Sequence, residues 1–111
     1  MLNRAGADEI TVQDLKKMMD SGDTPFLLDV RQVNEHQTGN IGGTLITLNE
    51  LPVRIDELAA HKDEKFVVYC RSGGRSGQAV QFLQANGYPG ATNLQGGMLA
   101  WRKEIDSSLD V

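Results

Sequence analysis

One stretch of this 111-residue chain concentrates reactive side chains: Cys70-Arg71-Ser72-Gly73-Gly74-Arg75-Ser76. It holds the only cysteine, follows the apolar run Phe66-Val67-Val68-Tyr69, and precedes a helix-like segment from Gln78 to Asn86. A strand, a glycine loop and a helix in that order form an anion cradle, because glycine frees backbone N–H groups to converge and a helix N-terminus adds partial positive charge. Cys70 stands at the rim of that cradle. An ordinary thiol, with a pKa of about 8.5, is only a few per cent thiolate at neutral pH. Lowering that value by ~2 units takes about 2.7 kcal/mol, whereas a helix dipole supplies ~0.3 to 1 kcal/mol and at most about 2. The N–H groups from Ser72 to Ser76 and the charge of Arg71 or Arg75 are the available supplements. A cysteine activated in this way is a nucleophile that forms a covalent intermediate. Its attack need not move a proton, so neither His36 nor His61 is required as a base.

The rest of the composition narrows the classes. One cysteine excludes an internal disulfide, and two histidines beside it make a poor zinc set, so neither metal nor another cofactor is expected. A formal net charge of -4 argues against nucleic acid or an anionic membrane as partner. Met1 to Glu9 contains no apolar targeting core, and no run approaches the roughly 18 apolar residues of a membrane span. The expectation is a soluble, cytoplasmic protein of one domain, residues 1–111 with a core from about 10 to 102, for which a monomer suffices.

The elements that must carry the loop can be read in order. Thr11 and Asp14 open a first helix with Val12, Leu15, Met18 and Met19 on one face, ended by Ser21-Gly22-Asp23. Pro25 to Val30 reads as a buried strand, with Asp29 and Arg31 at its C-terminal end, the edge where open parallel sheets place their sites. Val33 to Thr38 makes one or two helical turns, glycines at 39, 42 and 43 punctuate, and Thr44 to Thr47 is a short strand. Leu51, Ile55 and Leu58 mark another helix, with Pro52 tolerated near its start. Phe66 to Cys70 is a second clear strand and Ala91 to Leu94 a last short one. Between them Ala79, Val80, Phe82 and Leu83 form a helix face closed by Gly87, and Met98, Leu99 and Trp101 open a final helix. His61 is expected in a solvated loop and the acidic tail in a frayed end. Strand and helix alternation of this kind implies a parallel sheet flanked by helices.

Taken together, Leu27-Leu28-Asp29-Val30-Arg31, Glu35, Gly39-Asn40-Ile41, the Cys70 to Ser76 loop, and Leu94-Gln95-Gly96-Gly97 with Ala100-Trp101 resemble the successive signatures of a single rhodanese domain. The resemblance implies an α/β fold with a five-stranded, mostly parallel sheet flanked by helices on both faces, and a sulfurtransferase that carries a sulfane sulfur on Cys70 as a persulfide. It would take sulfur from an anionic donor such as thiosulfate and pass it to cyanide, a thiol or a protein acceptor. Arg71, Ser72, Gly73, Gly74, Arg75 and Ser76 would form the anion-binding loop. Asp29, Arg31 and Glu35 would be structural neighbours, with Arg75 either serving substrate or pairing with Asp29 or Glu35. Where family members often read Gly-His-Ile-Pro-Gly-Ala, this chain has Gly39-Asn40-Ile41-Gly42-Gly43-Thr44. Two other readings compete. Cysteine phosphatases and arsenate reductases use a similar cradle, but the phosphatase pattern has one residue more than the four between Cys70 and Arg75, and a second thiol for arsenate chemistry is missing. A docking module in which the cysteine is incidental is the other alternative.

Overall fold

A computed structural model of the chain describes residues 8–111. Residues 1–7, most of the stretch read as lacking a targeting segment, lie outside the described part. Five strands, β1 (Glu9–Ile10), β2 (Leu27–Asp29), β3 (Thr44–Leu45), β4 (Phe66–Tyr69) and β5 (Ala91–Leu94), form one sheet in the order β1-β5-β4-β2-β3. Every pairing is parallel. β4, which leads into the cysteine, therefore lies in the middle of the sheet, between β5 and β2.

The continuous apolar runs follow from burial on both faces. Alternation sends Leu28, Phe66, Val68 and Cys70 to one side, and Leu27, Val67, Tyr69 and Leu94 to the other. The first face is covered by the long helix α4 (Gly74–Ala85), through Ala79, Val80 and Leu83, and by the segment after β3 through Leu51 and Leu58. The second is covered by α1 (Val12–Asp20), through Val12 and Leu15, and by α5 (Gly97–Glu104), through Met98 and Trp101. A short α2 (Val33–Thr38) buries none of its residues and sits beyond the end of β2. Among the described residues no helix is long and apolar enough to cross a membrane.

Several boundaries differ from the sequence expectation. Thr44 to Thr47 narrows to the two residues of β3, and the helix expected around Leu51 is a 3-10 turn (Leu48–Glu50), a four-residue α3 (Leu51–Arg54) with Pro52 in its first turn, and a further 3-10 segment (Ile55–His61). α4 starts at Gly74 rather than near Gln78, because its first turn is rich in glycine and reads as loop. One residue and one segment expected in solvent make packing contacts. The His61 ring stacks on Phe26 with centroids 3.8 Å apart, and its Nδ1 lies 2.8 Å from Glu64 Oε1. The acidic tail folds back, placing Ile105, Leu109 and Val111 against the second core cluster and the Asp110 carbonyl against Gly39.

Candidate active site

Cys70 is the first residue beyond β4, 1% exposed, with its side chain under the N-terminus of α4. Its Sγ receives Gly73 N–H at 3.1 Å and Ser76 N–H at 3.3 Å, and lies 3.3 Å from the Ser76 hydroxyl, whose single proton is shared between Sγ and Asn93 Oδ1. Gly73 caps α4 in a left-handed conformation, φ 103°, which is what allows its amide to turn back toward the sulfur. Burial alone would push the Cys70 thiol up. The Ser76 hydroxyl and the N–H groups of Ser76, Gly73 and Ser72 outweigh it and hold the thiol below its ordinary value.

The loop amides face the sulfur because the loop carbonyls are held elsewhere. The N–H groups of Met98 and Leu99, at the start of α5, bond to the carbonyls of Cys70 (3.0 Å) and Arg71 (2.9 Å). In a planar trans peptide the N–H points opposite to its carbonyl, so tying the Arg71 carbonyl to Leu99 turns the Ser72 N–H the other way. This close approach requires Gly97, which has φ 56°; a Cβ there would run into the Cys70 and Arg71 carbonyl oxygens.

The two arginines of the loop have separate fates. Arg75 makes a two-pronged bridge to Glu35 on α2, Nη1–Oε1 2.7 Å and Nη2–Oε2 2.8 Å. Arg75, with the Gln32 N–H, holds the Glu35 carboxyl well below the usual range, at about 2. The Arg71 side chain is exposed and has no side-chain partner among the described residues. Ser72 and Gly74 are exposed as well, Gly73 half-buried and Ser76 buried.

Asp29, Arg31 and Glu35 are brought near one another but make no bond to Sγ. Asp29 is fully buried and accepts the Arg31 backbone N–H (3.0 Å), Arg31 Nε (2.9 Å) and Nη2 (2.8 Å), with His36 Nδ1 also at 2.8 Å. Burial works against the Arg31 charge, yet Asp29 keeps its pKa raised. Arg31 Nη2 also donates to the Gly39 carbonyl at 2.7 Å, so this pair secures the turn after α2. That turn carries the altered residues: Asn40 accepts the Gly42 N–H (2.8 Å) and donates to the His36 carbonyl (3.0 Å), while Gly42 has φ 96°, a value proline cannot adopt. The Tyr69 hydroxyl lies below Gly43 without a bonded partner among the described residues, although the amides of Ile41 and Gly43 lean toward it; burial, then Asp29, pushes its pKa up to about 12.

One side chain that bonds to the loop escaped the sequence reading. Asn93, on β5, accepts the Ser76 hydroxyl proton and donates to the Gly73 carbonyl at 3.2 Å. Its signal was available, since an asparagine in the interior of a fully buried strand is out of place unless it bonds to something.

The family model described as "Rhodanese-like domain" matches residues 11–104. The chain belongs to the rhodanese-like family. It is 35% identical over 97 residues to a protein of Allochromatium vinosum named "Sulfurtransferase", covering 86% of this chain and 89% of that one. It is 34% identical over 108 residues to the maize "Adenylyltransferase and sulfurtransferase MOCS3-1", covering 92% of this chain but only 23% of that longer protein. Among solved structures, a rhodanese-like domain protein from Staphylococcus aureus superposes with a TM-score of 0.77 at 33% identity, over 94% of this chain and 97% of that one. The five-stranded parallel sheet expected from the resemblance is the sheet of this family's fold, and the family supports sulfurtransferase chemistry in general.

Proposed function

We propose that the chain is a sulfurtransferase that carries one sulfane sulfur as a persulfide on Cys70. The observation that carries this reading is the set of hydrogen-bond donors on a buried Sγ, with no base bonded to it among the described residues. Such a site stabilises a sulfur anion, whether thiolate or persulfide, and offers no group to deprotonate a water. In the first half-reaction the Cys70 thiolate attacks the outer sulfur of a donor such as thiosulfate. A Cys70 S–S bond forms while the donor's S–S bond breaks, and sulfite leaves with the electron pair. In the second, cyanide, a small thiol or a thiol on a protein attacks the outer sulfur, and Cys70 departs as the thiolate the bowl already stabilises. Arg71 meets the donor's anionic end, and Arg75 shapes the loop.

Phosphoryl transfer fits less well, since the arginine that would clamp the transferred group is bound to Glu35. The docking reading leaves unexplained why donors of three residues surround one thiol. Intact mass decides the matter. Thiosulfate should add one sulfur to the reduced protein, cyanide should remove it, and Cys70→Ser should show neither change; a mass that thiosulfate leaves unaltered overturns the proposal.

A further inference from the structure

The first turn of α4 has to hold two amides on one sulfur although its own sequence is loose. Gly73 caps that turn and Gly74 and Gly77 lie within it, and a glycine inside a helix costs ~1 kcal/mol of propensity relative to alanine. Something outside the helix must hold it. On the solvent side the brace is the Arg75–Glu35 bridge. On the sheet side it is Asn93, which is 8% exposed and stands on β5 opposite Val68, two residues before Cys70.

Asn93 grips two points of the turn. Its Nδ2 donates to the Gly73 carbonyl, an oxygen that also accepts the Gly77 N–H at 3.0 Å, and its Oδ1 accepts the Ser76 hydroxyl. Gly73 and Ser76 are the residues whose N–H groups reach Sγ. The carbonyl, which can only accept, and the hydroxyl, which donates, fix which end of the amide faces each of them. No atom of Asn93 bonds to the sulfur. The geometry points to Asn93 as the positioning residue of the sulfur-binding bowl: by holding the Gly73 carbonyl and the Ser76 hydroxyl from the neighbouring strand, it keeps the backbone N–H groups of both residues trained on Sγ. The inference rests on Cys70 being the sulfur-carrying nucleophile and assigns the part that organises it.

The experiment is the pH dependence of Cys70 alkylation by iodoacetamide in the reduced protein, followed by mass. Asn93→Ala should move the midpoint up by about one pH unit, slowing alkylation near neutral pH up to about tenfold. Asn93→Thr, better suited to a strand, should do the same and covers the case in which the alanine variant does not fold. Thr92→Ala removes the neighbouring hydroxyl, which bonds to the Gly90 carbonyl away from the loop. It should lower the unfolding midpoint and leave the alkylation midpoint in place. Ser76→Ala should raise the alkylation midpoint, and its combination with Asn93→Ala should raise it by less than the sum, because the two changes share one hydrogen bond. A midpoint that stays or falls in both Asn93 variants, an equal rise in Thr92→Ala, or strict additivity with Ser76→Ala overturns the inference. Alkylation uses no sulfur donor, so a failure here is separate from a failure of sulfur loading in the mass experiment.

Discussion

The Arg75–Glu35 bridge can be tested through its charge by Glu35→Gln, which keeps the shape and removes the anion. In the folded protein the Glu35 carboxyl sits at about 2, chiefly through its hydrogen bonds from Arg75. Against an unfolded value of about 4.3, a drop of that size sets an upper bound of ~3 kcal/mol of pH-dependent stability. Glu35 is 22% and Arg75 36% exposed in their side chains, so solvent screening reduces the working figure to ~1 to 2 kcal/mol. The sign follows from the depressed carboxyl. Its contribution is complete above the unfolded value and is lost as pH falls from about 5 through about 2. Urea unfolding of both proteins should show the variant less stable by ~1 to 2 kcal/mol at pH 7, equivalent to about 4 to 8 °C in Tm. The difference should shrink as the pH drops below about 4. Equal stabilities at pH 7, or a gap that stays constant down to pH 3, would refute the assignment of the bridge as the brace of the loop.

Three further outcomes are expected. Arg71→Ala should slow persulfide formation from thiosulfate about tenfold, or ~1.4 kcal/mol, without moving the unfolding midpoint, as followed by timed intact mass; a conserved rate would remove Arg71 from anion capture. Gly97→Ala should cost ~2 kcal/mol or more in urea unfolding, because the left-handed backbone and the Cys70 and Arg71 carbonyls both exclude a Cβ. Tyr69→Phe, which deletes a buried hydroxyl that has no hydrogen-bond partner among the described residues, should leave stability unchanged or raise it by ~1 kcal/mol; a loss of ~1 kcal/mol or more would mean the Ile41 and Gly43 amides do bond to it.

How much of this could be read from the sequence depends on the range over which each feature is encoded. β2 and β4 announce themselves as apolar runs because both faces are buried, and α1 through its Thr11 cap, whose oxygen accepts the Asp14 N–H at 3.1 Å. β1 has two residues, too few to show any period, and exists because it adds to the edge of β5. The order of strands is a long-range property as well. The cysteine and its loop were legible as an anion cradle from glycine, arginine and hydroxyl spacing alone. The partner of Arg75 was not, since Glu35 lies 40 residues away, and Asp29 was as good a candidate on charge. Asn93 was missed for the same reason: its meaning lies in which loop β5 runs beside.

The loop around Cys70 therefore takes a shape imposed by three neighbours rather than by its own sequence. α5 takes its carbonyls, α2 takes Arg75, and β5 takes Gly73 and Ser76. Glycine is needed where the chain must turn left-handed or let another backbone approach, but glycine alone gives a loop that samples many shapes. In the proposed role, a nucleophile that must stabilise an anion both before and after sulfur binds would gain most from donors that need not reorganise between the two states. The neighbours supply that rigidity, and they also explain why the two arginines divide their work. With Arg75 fixed by Glu35, Arg71 is the loop arginine that keeps a charge without a side-chain partner among the described residues, where an incoming anion can meet it.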